Sequence, residues 1–108
     1  MIKKGNIFEK NFQNENGDEI FENIYADKKV KIERIISNGQ TTPENEWLSD
    51  IQPEWVILLQ GNAIILLESK EEVLMDKGDY LFIPAGVKHR VEYTSAEPEC
   101  IWLAFHFE

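Results

Sequence analysis

One cysteine, Cys100, stands in 108 residues. A lone thiol excludes an internal disulfide framework and any multi-cysteine zinc site, and it is compatible with a reducing cytoplasm, which is the expected location. Histidine is almost as scarce, with only His89 and His106 present. Bases are outnumbered: eleven Lys and Arg against twenty Asp and Glu give a net charge of -9. A surface this acidic repels phosphate backbones and anionic lipid, so neither nucleic acid nor membrane is expected as a partner. Long hydrophobic runs are missing too. The longest, Trp55 to Leu59 and Ala63 to Leu67, fall far short of the roughly 20 apolar residues of a membrane-spanning helix. No apolar stretch follows Lys3 and Lys4, so no signal peptide is expected. Six glycines, four prolines and 43% hydrophobic residues make a globular composition of single-domain length, and residues 1–108 read as one domain.

Helical periodicity is hard to find. Short segments bounded by turn residues recur instead, and they predict strands. A weak candidate covers Ile7 to Phe12, before a turn at Asn14 to Asp18. Further strands are predicted over Ile20 to Tyr25, Val30 to Ser37, Glu54 to Gln60, Ala63 to Glu68, Val73 to Met75, Tyr80 to Ile83, His89 to Thr94 and Ile101 to Phe107. Gly61-Asn62 reads as the two-residue turn of a hairpin between Glu54–Gln60 and Ala63–Glu68. Gln40 to Pro53, with two prolines and little alternation, reads as a long connection of the kind that carries function. About nine short strands at regular spacing argue an all-β sandwich or barrel. Val56 to Leu59 and Ile64 to Leu67 are apolar on both faces. Each therefore needs two covers, and the second comes from the N-terminal strands or from a partner chain, which suggests a homodimer.

Gly78-x5-Pro84-x-Gly86-x2-His89 is the most informative string. Gly78 opens a turn, Pro84 and Gly86 bend the chain after a buried strand, and His89 starts the next strand with its imidazole aimed by that corner. The string resembles the second motif of the cupin family, G-x5-P-x-G-x2-H-x3-N. Four of the five fixed positions match, and Tyr93 stands at the place of the asparagine. The first cupin motif, G-x5-H-x-H-x3-4-E-x6-G, matches only through Glu54 and Gly61. Its two histidines would fall on Leu48 and Asp50 with the shorter spacer, or on Trp47 and Ser49 with the longer one, and its leading glycine is absent.

The resemblance covers about residues 42–107 and implies a double-stranded β-helix, the jelly-roll-like cupin barrel. It also implies a divalent metal such as Mn, Fe, Ni or Zn inside the barrel. The residues carried over by position are Glu54 and His89, with Asp50 in place of one histidine. A two-His-one-carboxylate iron site would need His106 as well. His106 alternates with Phe105 and Phe107 in the last strand, and parity alone does not say which face looks inward. Trp47, Gln52, Tyr80, Tyr93, Trp102 and His106 are expected to line the pocket, which favours a small organic molecule.

Each candidate also has a plainer reading: His89 as a hydrogen-bonded barrel residue, Glu54 as a strand-end carboxylate paired with a base, Asp50 as a solvated loop acid. Glu54 is the candidate catalytic residue. Buried without a cation its pKa should rise, which suits a general base, whereas a bound metal would keep it ionised. Two functions remain open. One is a metal-binding cupin acting on a small organic molecule. The other is a metal-free module that binds an aromatic or sugar-like ligand.

Overall fold

The computed structural model describes residues 2–9 and 17–108. Among them are eight strands and no helix: β1 (Ile20–Ala26), β2 (Val30–Ser37), β3 (Glu54–Gln60), β4 (Ala63–Leu67), β5 (Glu72–Met75), β6 (Tyr80–Ile83), β7 (His89–Thr94) and β8 (Cys100–Phe107). Every one of these segments was legible as a run of β-branched and aromatic residues between turn residues. The weak candidate over Ile7 to Phe12 is not a strand where it is described. Ile7 and Phe8 lie in a turn, closed by the Asn6 side chain accepting from the Phe8 amide at 2.8 Å. Residues 10–12, and residues 14–16 of the following turn, lie outside the described residues.

Two antiparallel sheets face each other. One has the order β1-β2-β8-β3-β6, the other β5-β4-β7. This is the all-β double-stranded β-helix arrangement. The core between the sheets joins Val56, Leu58, Trp102 and Ala104 of the larger sheet to Ala63, Ile65 and Met75 of the smaller. Burial of this apolar surface is the main favourable term holding the sheets together.

Gly61-Asn62 is not a hairpin turn. β3 pairs with β6 and β8, while β4 pairs with β5 and β7, so the chain changes sheets at this corner. Gly61 has φ +88°, and a Cβ there would stand 2.7 Å from Ser95 Oγ and 3.0 Å from Cys100 Cα. Glycine is therefore required both by the backbone conformation and by the close approach of the chain. The two-residue turn signal marks a bend, and tertiary packing turned that bend into a crossover.

The doubly apolar runs are explained in part. Val56 and Leu58 point into the core, and the opposite face of β3 carries Trp55 and Ile57. Trp55 stacks 5.4 Å from Tyr80 and 5.6 Å from Phe105, and Phe82 lies 6.4 Å from Phe107. The N-terminal stretch covers another part of this outer face. The buried Arg34 of β2 donates to the carbonyls of Ile7 at 3.0 Å and Glu9 at 2.5 Å and pairs with Glu22 at 2.6 Å.

The long connection before β3 lies along β7. Leu48 and His89 exchange backbone hydrogen bonds of 2.7 and 3.0 Å, and the Thr42 amide donates to Val91 O at 2.9 Å. Arg90 fastens the same segment by donating to the carbonyls of Glu46 and Thr42, each at 3.2 Å. The Gly86 amide donates to Asp50 O at 2.8 Å, which pins the segment to the Pro84–Gly86 corner.

Candidate functional site

Strand parity and register gather the site. In β8, Trp102 and His106 line a cavity between the sheets, together with Glu33, Ile35 and Ser37 of β2, Glu54 and Val56 of β3, Ile65 of β4, Ile83 of β6 and His89 and Val91 of β7. Its volume is about 330 Å³, and Glu19, Phe21, Asp50 and residues of the 41–49 segment, among them Thr41, Thr42, Leu48 and Ser49, complete its wall. Val56, Ile65, Ile83, Val91 and Trp102 make it largely apolar, and its polar groups are carboxylates, two imidazoles and the hydroxyls of Ser37, Thr41, Thr42 and Ser49.

Glu54 and His106 are directly opposite each other across β3 and β8, so their side chains share the inner face. His106 is the centre of an acidic cluster. Its Nε2 lies 3.0 Å from Glu33 Oε1 and 3.9 Å from Glu54 Oε2, and its Nδ1 lies 3.7 Å from Asp50 Oδ2. The Glu33 contact is a hydrogen bond; the other two distances are beyond hydrogen-bond reach. His106 Nδ1 is buried with no hydrogen-bond partner among the described residues. Burial pushes the Glu54 carboxyl above its ordinary value. The His106 and His89 rings oppose that rise, and Glu33 and Asp50 add to it. Desolvation disfavours the charged form, and like charges add to that effect.

His89 sits where the Pro84–Gly86 corner was expected to place it. It is only 8% exposed, and its Nδ1 donates to Val87 O at 3.2 Å, which leaves Nε2 as the lone-pair nitrogen of the neutral ring. Trp102 donates from Nε1 to Ser37 Oγ at 3.3 Å, and Ser37 in turn donates to Glu19 Oε2 at 2.8 Å.

Four residues expected in the pocket stand elsewhere. Tyr80 is 64% exposed and Tyr93 46%. Tyr80 belongs to the outer aromatic face against Trp55. Trp47 lies outside the cavity with the Lys70 ammonium 5.7 Å and the Arg90 guanidinium 5.8 Å from its ring centroid, a cation–π contact on the outside of β7. Gln52 is absent from the cavity wall; its backbone N–H donates to Asp50 Oδ1 at 3.0 Å. Proximity to a motif in sequence says nothing of the face that a strand residue such as Tyr80 or Tyr93 takes, nor of where Trp47 and Gln52 sit on the connection before β3. Glu33 was missed; it shares the parity of Ile35 and Ser37, and the signal was only that these three take one face of β2, not which face looks inward.

The metal that the resemblance implies would have to be held by Glu54, His89 and Asp50. Among the described residues, no group of three or more His, Cys, Asp and Glu is arranged to hold a metal ion. His106 Nε2 is engaged by Glu33, and the Asp50 side chain is 47% exposed at the edge of the cavity. As arranged, the set does not fit a metal.

The cupin domain family model matches residues 35–106. The chain belongs to the cupin domain family. This cupin is similar over 99% of its length, with 40% identity and a TM-score of 0.91, to 99% of a protein of Ralstonia eutropha JMP134 assigned provisionally as a mannose-6-phosphate isomerase. It superposes at a TM-score of 0.74 and 17% identity on an RmlC-like cupin from Desulfovibrio desulfuricans, covering 98% of this chain and 97% of that one. A cupin of double-stranded β-helix fold from Methanocaldococcus jannaschii aligns at a TM-score of 0.69 and 17% identity, covering 93% and 91% of the two chains. Among curated proteins none matches the cupin.

Proposed function

We propose that this cupin holds a small polar organic molecule between its sheets without a metal ion, and that Glu54 exchanges a proton with it. The observation that carries this reading is the Glu54 carboxyl. It lines a cavity of about 330 Å³, its pKa is raised chiefly by burial, and its distance to His106 Nε2 is 3.9 Å. A carboxyl whose pKa is raised is a stronger base than an exposed one, which suits it to accept a proton from a bound molecule and return it. His106, anchored by Glu33, is a positioning residue that moderates the Glu54 charge. Trp102, Val56 and Ile65 supply the apolar wall against which a ligand is desolvated.

The test is a thermal-shift screen of the chelated protein against a library of sugars, amines and small acids. A ligand at 100 times its Kd stabilises by about 2.7 kcal/mol, which for a chain of this size raises Tm by about 10 °C. If Mn, Fe(II), Ni or Zn stabilises the protein and no organic compound does, the reading falls.

A second reading keeps a divalent metal on Glu54, His89 and Asp50. One observation favours it: the hydrogen bond from His89 Nδ1 to a backbone carbonyl fixes the tautomer that metal-binding imidazoles use. The same screen separates the two. We also assign the outer aromatic face around Trp55, Phe82 and Phe105 to contact between two copies of the chain, and we place the protein in the cytoplasm. No helix among the described residues is long and apolar enough to cross a membrane.

A further inference from the structure

The ligand's charge follows from the donor and acceptor inventory of the cavity, given the proposed small-molecule pocket. No Lys or Arg lines it among the described residues, while Glu19, Glu33, Asp50 and Glu54 do. The basic residues closest in sequence to its wall are already engaged. Arg90 ties down the loop before β3, Arg34 holds the N-terminal stretch on the outer face, and Lys31 is a half-exposed partner 3.5 Å from Glu33 Oε2.

The carboxylates and the His89 ring present acceptors to the cavity, beside the hydroxyls of Thr41 and Ser49. Glu54 accepts no hydrogen bond from the described residues, since its contact with His106 is 3.9 Å long. Asp50 Oδ2 stands 3.7 Å from His106. His89 is more than nine-tenths buried, and its Nδ1 proton is committed to Val87 O, so Nε2 offers a lone pair with no protein donor. Acceptors that no protein donor meets are best matched by a ligand that brings N–H or O–H groups.

A phosphate ester brings acceptors and negative charge, and it would meet four carboxylates with no guanidinium or ammonium among the described lining residues. An ammonium brings three donors and the opposite charge, and the Trp102 and Phe21 rings on the wall offer it π faces. We infer that the cavity takes a small organic cation, an ammonium-bearing and hydroxylated molecule, and rejects phosphorylated sugars. The likeness to a protein assigned provisionally to a sugar phosphate therefore extends to the fold and not to the ligand's charge.

Three probes on one six-carbon frame test this: glucamine, glucitol and glucitol phosphate, titrated calorimetrically into the full chain near neutral pH. Glucamine is expected to bind at least about tenfold more tightly than glucitol, and glucitol phosphate most weakly. In Glu54→Gln the glucamine advantage is expected to shrink severalfold, with near-ultraviolet circular dichroism unchanged. Equal or tighter binding of the phosphate ester overturns the inference and leaves the pocket standing, as does an amine advantage that Glu54→Gln does not alter. If none of the three binds, the cation assignment falls. The metabolite screen then decides separately whether the small-molecule reading falls with it.

Discussion

Gly61 to Ala is the substitution that most directly tests the account of the corner between the two sheets. Two separate costs apply. The first is conformational: at φ +88° an L-residue meets its own carbonyl, at about 1–2 kcal/mol. The second is steric. The new Cβ would lie 2.7 Å from Ser95 Oγ and 3.0 Å from both Cys100 Cα and Sγ. The Cys100 Cα is backbone of β8 and cannot swing away. Ser95 Oγ is held by accepting from the Asn62 amide at 3.1 Å and donating to Pro98 O at 2.6 Å. Relief of such overpacking costs about 1–3 kcal/mol, so the sum is about 2–5 kcal/mol. A small domain holds only about 5–15 kcal/mol in all. Gly78 to Ala is the control: φ is +92° there, but nothing lies within 4 Å of the added Cβ, so only the first cost applies. Urea denaturation of both variants measures the difference. Should Gly61 to Ala prove no more destabilising than Gly78 to Ala, the close approach of β8 to this corner is not what requires the glycine.

Two further predictions concern the site and the outer face. Glu54 has a folded pKa above its ordinary 4.5, so its ionised form opposes folding at neutral pH and the penalty vanishes as pH falls below 4.5. Glu54→Gln should therefore unfold at higher denaturant than the wild type at pH 7.5, by about 1 kcal/mol, the scale for a buried unsatisfied polar group; the advantage should shrink toward pH 4.5, and a constant or growing difference on acidification would contradict the burial argument. Light scattering at micromolar concentration should give twice the 12.6 kDa chain mass, and Phe82→Glu, with Phe82 51% exposed, should halve it; a monomeric wild type removes the assignment of the aromatic face to a second copy.

The strands, their turns and the Gly78–Pro84–Gly86–His89 corner were readable along the chain. Strand period and turn chemistry are local properties, set within a few residues by sterics and side-chain branching. The chain also carried the family signature, since Glu54, Gly61 and His89 hold their spacings. Tertiary structure alone decided which face of each strand looks inward. β8 alternates Leu103, Phe105 and Phe107 with Trp102, Ala104 and His106, and both sets are compatible with burial. Parity defines the two sets but cannot rank them; the packing of Trp102 and Ala104 against Val56 and Ile65 does. That one choice carried His106 into the cavity beside Glu33, a residue 73 positions away in the chain. It also left Tyr80 and Trp55 on the outer aromatic face. The corner at Gly61 was misread as a hairpin for the same reason: a turn dipeptide specifies a change of direction, and only the partners on either side determine whether the two strands pair or part.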